Sequence, residues 1–228
     1  NTGYHKKSED NMSNSYYNCL IQIDFDSEYT PIFFDIGCNI NKIPSHCGTL
    51  DDFTELALGL YPNAKCYGFD PLHWQTYEEK WSEDSRVTVV KKAVSDSNEN
   101  KTLYIPGANE PIKAHAISSF YNRKDFGGGI DEVDVECITV DTAFSEFDLE
   151  VIDYLKIDTE GAELMVLKGA EKCLKSQSIN CIQVEYGGTY DDAGITVNDV
   201  INYLDQFNYK EFYRTHEELL FAHAEELK

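Results

Sequence analysis

Between Pro31 and His223 short apolar runs alternate with amphipathic stretches, and this rhythm narrows the folds open to the chain more than any other feature. Ile32-Phe33-Phe34 precedes an expected helix over Leu50 to Tyr61, and the strand Lys65 to Phe69 follows it. A helix near His73 to Trp81, a strand over Val87 to Val90 and an edge strand over Lys101 to Ile105 continue the pattern. It resumes with strand character at Asp134 to Val140, a short helix at Thr142 to Phe147 and a strand at Val151 to Ile157. A helix over Gly161 to Leu174 comes next, with Ala162, Met165, Val166, Ala170 and Leu174 on one face. The strand Ile179 to Glu185 and the helix Val197 to Phe207 end the alternation. Repeated βα units predict a doubly wound, mostly parallel α/β sheet with helices on both faces. The last two runs, Tyr209 to Arg214 and Glu218 to His223, are joined by a turn too short for a crossover helix, so they should form an antiparallel edge hairpin.

Two segments fall outside this rhythm. Residues 1–30 read as a partly ordered N-terminal arm with one short docking helix, and residues 31–228 as the domain proper. Residues 106–134 are aperiodic, carry Gly127-Gly128-Gly129 and read as a substrate lid, since a loop of that length in a compact domain usually serves function. The chain has 228 residues, and its 19 Lys+Arg against 41 Asp+Glu leave a formal charge of −22. That balance excludes a nucleic-acid binder, whose affinity rests on clustered cations, and disfavours an anionic membrane surface. No apolar run approaches a membrane span, and the first eighteen residues are too polar for a secretory signal. Seven scattered cysteines without a C-x-x-C pair imply reduced thiols and a cytoplasmic setting. The chain opens at Asn1 rather than Met, as expected of a processed product or a domain cut from a longer polypeptide.

Chemistry concentrates where strands end. Phe34-Asp35-Ile36-Gly37-Cys38-Asn39-Ile40-Asn41 puts an acid at a strand tip and a glycine in the following turn, where a ligand can approach the backbone. The dinucleotide fingerprint G-x-G-x-x-G is absent, which disfavours a nicotinamide-dependent oxidoreductase. An acid there repels a pyrophosphate but suits S-adenosylmethionine, with its amino group and sulfonium. In Phe69-Asp70-Pro71 the next strand also ends in an acid, placed to accept the hydroxyls of a ribose. Ala93-Val94-Ser95-Asp96 lies at the height expected for an adenine, though turn chemistry explains it equally well. Leu155-Lys156-Ile157-Asp158-Thr159-Glu160-Gly161-Ala162-Glu163 crowds three acids into a strand-to-helix corner. Helix capping accounts for Glu160 and Glu163 better than for Asp158.

Taken together, these motifs resemble the FkbM family of S-adenosylmethionine-dependent methyltransferases over about Pro31 to His223. Asn41 stands where that family commonly has a second glycine, and Asp70 replaces its usual Glu. The resemblance implies a Rossmann-like class I methyltransferase fold with seven strands, and methylation of a hydroxyl on a sugar, glycan or glycosylated metabolite. The cofactor contacts then expected are Asp35, Gly37, Asn39, Asn41, Asp70, Pro71, Ala93 and Asp158. For catalysis, Asp158 is the candidate base or orienter, Glu185 faces the same cleft, and His115 on the lid is a rival base. Asp158 and Glu185 either share a proton or hold Mg²⁺ or Mn²⁺. Tyr104, Phe120, Tyr121, Tyr186 and Tyr190 are expected near the cleft, where they would stack on a sugar acceptor. The competing reading is a catalytically silent member of the same fold that serves as a binding or scaffold module.

Overall fold

The computed structural model describes residues 2–4, 15–38, 52–106, 118–123, 129–187 and 189–227. In chain order the elements are β1 (Thr2–Tyr4), α1 (Ser15–Leu20), β2 (Ile23–Phe25), β3 (Ile32–Ile36), α2 (Phe53–Leu60), β4 (Lys65–Phe69), α3 (Trp74–Trp81) and β5 (Val87–Val90). Then come β6 (Ala93–Val94), β7 (Lys101–Pro106), β8 (Ile130–Val135), β9 (Cys137–Ile138), α4 (Val140–Glu146), β10 (Ile152–Ile157), α5 (Glu163–Lys168) and α6 (Glu171–Lys175). The chain closes with β11 (Ile179–Glu185), α7 (Thr189–Ala193), α8 (Val197–Asp205), β12 (Tyr209–Arg214) and β13 (Glu218–His223).

Seven strands form one sheet in the order β12-β13-β11-β10-β3-β4-β5. The pairs among β11, β10, β3, β4 and β5 are parallel, and β13 runs antiparallel to both β11 and β12. The expected edge hairpin is therefore present. From β3 the chain winds outward through β4 and β5, then returns to β10 and winds the other way. Connections leaving β3 and β10 diverge, which opens a crevice at their carboxyl ends.

Strand alternation assigns the two faces. Phe33, Tyr154, Cys181 and Leu220 pack with Cys19 and Leu20 of α1 and Phe53 and Ala57 of α2. Phe34, Leu155, Ile182 and Phe221 pack on the other side against Val166, Leu167, Val200 and Leu204 of α5 and α8. Each such fully buried side chain contributes roughly 1.5–3 kcal/mol. Two residues beyond Phe33 and Tyr154 come Asp35 and Lys156, direct partners in the β3–β10 register and on the α1–α2 face.

Several segments differ from expectation, each for a physical reason. Order begins before Pro31, because Cys19, Leu20 and Ile23 are buried and the Tyr61 hydroxyl donates to the carbonyls of Leu20 (2.8 Å) and Ile23 (2.6 Å). The strand expected at Asp134 instead begins at Ile130, inside the stretch read as a lid, and pairs with β7 in a ribbon separate from the main sheet. Its exposed acids Asp131, Glu132 and Asp134 hide the strand period. The long helix expected over Gly161 to Leu174 is two short ones. At Gly169 a Cβ would lie 2.1 Å from the Ser95 carbonyl oxygen, so the break lets that backbone approach. Val140, expected in a strand, begins α4, which Thr139 caps by accepting the Thr142 N–H at 3.0 Å. The described cysteines, Cys19, Cys38, Cys66, Cys137, Cys173 and Cys181, are unbridged and buried. No helix among the described residues is long and apolar enough to cross a membrane.

Candidate active site

At the crevice between β3 and β10 lies a cavity of about 370 Å³, within the roughly 300–1,000 Å³ usual for small-molecule sites. Strand alternation and register bring one row of charges to its floor. Lys156, only 2% exposed, sets its ammonium 3.1 Å from Asp35 Oδ1 and 3.3 Å from Asp158 Oδ2. The same group donates to the Gly37 carbonyl at 3.0 Å. Thr54 of α2 donates to Asp35 Oδ2 at 2.9 Å, and Tyr16 of α1 donates to Asp158 Oδ2 at 2.6 Å. Glu185, at the tip of β11, shares a hydrogen bond with Asp158. Gly37 has φ +78°, and a Cβ there would sit 1.9 Å from the Asp158 carbonyl oxygen. The glycine therefore serves first to let two strand ends meet.

The electrostatics follow from this crowding. Burial alone would raise the pKa of Asp158, but the Lys156 charge and hydrogen bonds from Glu185, Tyr16 and Lys156 outweigh it and hold the carboxyl below its ordinary value. Glu185 is pushed well above the usual carboxylate range, first by the Asp158 charge and then by burial. Of the two, Glu185 is therefore the carboxyl that keeps its proton longer as pH rises. Burial opposes the charge on Lys156, yet Asp158 and Asp35 keep it protonated. Glu160 is pushed up to about 8 by burial and the Asp158 charge, against the pull of Arg123. Its backbone is left-handed (φ +54°), its carbonyl accepts from Ser119 Oγ at 2.6 Å, and its carboxylate meets Arg123 at 3.2 Å.

These shifts set the pH dependence of stability. Burial is the largest cause in Glu218 and Glu163 as well, raised to about 8 and about 7. Folded protein therefore binds protons that unfolded chain has released, so stability is lost as pH rises from about 4.5 toward 8. The groups with lowered values, Asp84, Asp96, Asp158 and Asp199, titrate below that window. Thermal denaturation should give a higher Tm at pH 6 than at pH 8.5. An unchanged or reversed order would contradict the proton assignments.

Leu72, Ala93, Leu103 and Phe120 line the same cavity and pack together as an apolar wall. Asp70 stands beside it, its Oδ1 accepting from the N–H groups of Leu72 (2.7 Å) and His73 (2.5 Å). That holds the carboxylate still, and Oδ2 takes no hydrogen bond from the described residues. An apolar slot beside a fixed carboxylate suits an adenosine, with Asp70 for the ribose hydroxyls. The carboxylate oxygens of Asp158, Glu160 and Glu185 lie within 4.8 Å of one another, a hard-oxygen set that suits Mg²⁺ or Mn²⁺.

Of the residues singled out in the sequence, Asp35, Gly37, Asp70, Pro71, Ala93, Asp158 and Glu185 all line this one cavity. Asn39, Asn41 and His115 lie outside the described residues, as does most of the expected lid. Among the five aromatics expected at the cleft, only Phe120 lines it. Tyr190 is turned beneath the β11 tip, donating to the Glu185 carbonyl at 2.9 Å, and Tyr186 donates to the Thr215 carbonyl at 2.8 Å. Sequence reasoning missed Lys156, Tyr16 and Glu160 as site residues. Lys156 had a signal: it interrupts the otherwise apolar run Tyr154-Leu155-Lys156-Ile157 on the same face as Asp35.

The sheet that reverses its winding at the cleft, its antiparallel edge and the acids at its strand tips define a Rossmann-like domain of the class I methyltransferase type. The chain belongs to the FkbM methyltransferase family, whose domain matches residues 34–211. Curated protein sequences contain no match. Among solved structures, the MycE methyltransferase from the mycinamycin biosynthetic pathway, in complex with Mg and SAH, aligns with a TM-score of 0.46 at 10% identity. That alignment covers 86% of this chain and 46% of the other, so this chain spans less than half of that protein's length. Precorrin-6y C5,15-methyltransferase from Geobacter metallireducens GS-15 aligns with a TM-score of 0.40 at 13% identity, covering 84% of this chain and 78% of that one.

Proposed function

We propose that this chain is an S-adenosylmethionine-dependent O-methyltransferase acting on a hydroxyl of a sugar, glycan or glycosylated metabolite. The observation that carries the reading is one cavity at the switch point that brings together an apolar wall, the fixed carboxylate of Asp70 and the row Asp35–Lys156–Asp158–Glu185. S-adenosylmethionine, when bound, supplies an electrophilic methyl group on a sulfonium. Asp158 accepts a hydrogen bond from the acceptor hydroxyl and aligns its oxygen for in-line attack. Methyl transfer would break the sulfonium's C–S bond, its electron pair staying on sulfur as a neutral thioether, and would leave the newly alkylated oxygen strongly acidic. Even a carboxylate of lowered basicity takes its proton, so an Asp158 held ionised by Lys156 suits the step. The acidic surface and the neutral acceptor expected from it favour a hydroxylated compound over a polyanion.

Calorimetric titration with S-adenosylmethionine and S-adenosylhomocysteine is the first test. If neither binds at millimolar concentration, the chain is a silent scaffold. Asp70→Ala should weaken cofactor binding by roughly 1.5–3 kcal/mol, the worth of hydrogen bonds to a charged group. A panel of hydroxylated acceptors screened with labelled methyl then identifies the substrate class, and preferential labelling of nucleic acid would overturn it. A second version, favoured by the close approach of the three carboxylates, has Asp158, Glu160 and Glu185 hold a divalent ion that acidifies the acceptor hydroxyl. Activity should then vanish with chelator and return with Mg²⁺ or Mn²⁺. Chelator insensitivity eliminates that version.

A further inference from the structure

We propose that Tyr16 is a positioning residue of the active site, delivered from the N-terminal helix to fix the Asp158 carboxylate in the cleft. The proposal rests on the methyltransferase reading above and assigns a role to a residue that lies outside the matched stretch, residues 34–211. Tyr16 lines the cavity, and its hydroxyl donates to Asp158 Oδ2 at 2.6 Å. The same oxygen faces the Lys156 ammonium at 3.3 Å, so two donors converge on it. The phenol ring lies 5.2 Å from that ammonium and packs edge-on against Phe53 of α2 at 6.1 Å.

The helix that carries this tyrosine is seated firmly enough to aim it. Cys19 and Leu20 are fully buried against the sheet, and Tyr61 of the segment after α2 ties down the carbonyls of Leu20 and Ile23. A carboxylate on a strand tip can rotate about its side-chain torsions; one oxygen gripped from two sides cannot. Asp158 is thereby held at Oδ2 by Tyr16 and Lys156, with Glu185 hydrogen-bonded to the same carboxylate, in the orientation it presents to the acceptor. The arm does more than dock, since it completes the site.

Tyr16→Phe removes only the hydroxyl and keeps the ring over Lys156 and Phe53. In wild-type background kcat should fall by roughly 10- to 100-fold, as a charge-assisted hydrogen bond spent on orientation predicts. KM for S-adenosylmethionine should stay within about twofold, because a loss confined to the transition state leaves ground-state binding intact. In an Asp158→Asn background the same change should cost nothing further, since both substitutions then break one coupled unit. Independently of turnover, 3-fluorotyrosine placed at position 16 should give a ¹⁹F resonance that shifts when S-adenosylhomocysteine fills the cleft. A wild-type protein that binds no S-adenosylmethionine would remove the functional reading itself. Binding with a ¹⁹F signal indifferent to S-adenosylhomocysteine, or an unchanged kcat in Tyr16→Phe, would overturn the role of Tyr16 alone.

Discussion

Lys156→Met should destabilise the protein by about 3–5 kcal/mol at pH 7, the usual result of removing one partner from a buried ion pair. Among the described residues the ammonium has four oxygen neighbours, Asp35 Oδ1, Asp158 Oδ2 and the carbonyls of Gly37 (3.0 Å) and Ile36 (3.4 Å), and methionine satisfies none. Asp158 keeps donors from Tyr16 and Glu185, so the larger loss falls on Asp35, which is 1% exposed and, among the described residues, keeps Thr54 alone. Burial already raises the pKa of Asp35 against the opposing pull of Lys156. Without that pull the value climbs further, so the folded variant binds a proton that the unfolded chain releases near pH 4. Its stability is then fully present below that pH and lost as pH rises through the folded value. The deficit relative to wild type should accordingly shrink between pH 7 and pH 5, and Asp35→Asn added to Lys156→Met should recover much of it. Urea denaturation at the two pH values measures both effects. A deficit below about 1 kcal/mol, in the range of exposed pairs, would show that the row is not buried in solution.

The same row shows how far the sequence could be read. Parallel strands and the edge hairpin were legible because apolar runs of strand length alternate with helical ones, and that periodicity survives without tertiary context. Acids at strand tips were legible for the same reason, since a strand's end fixes where its last side chain points. What stayed hidden was pairing. That Lys156 meets Asp35 depends on the β3–β10 register, and these strands are separated by more than a hundred residues. Tyr16 was invisible because the residues its segment buries, Asn18, Cys19, Leu20, Gln22 and Ile23, mix polar with apolar and follow no single period, so composition read it as an arm. Conversely, aromatic composition suggested a stacking surface, whereas Tyr186 and Tyr190 serve the scaffold through hydrogen bonds to backbone carbonyls. Residue type alone does not say which side of a strand tip a ring lands on.

Asp158→Asn should leave the fold intact and lower turnover by roughly 10²–10⁴, the worth of a positioned general base. Asparagine keeps the shape and can still accept from Tyr16, so the loss isolates the charge. One compensation is built into the neighbours. Glu185 holds its proton chiefly because Asp158 is ionised beside it, with burial second. Neutralising residue 158 removes that repulsion, the Glu185 value falls toward the ordinary range, and a carboxylate reappears one strand away. Residual activity of Asp158→Asn should therefore depend on Glu185 and rise as pH increases through its new value, while Asp158→Asn/Glu185→Gln should lose that residue of activity. Glu185→Gln alone should be milder, because it replaces a group that is already neutral. Turnover measured across pH for the three variants decides the matter. Should Asp158→Asn turn over like wild type while remaining folded, the carboxylate has no part in proton removal, and catalysis would rest on proximity and alignment of the bound reactants alone.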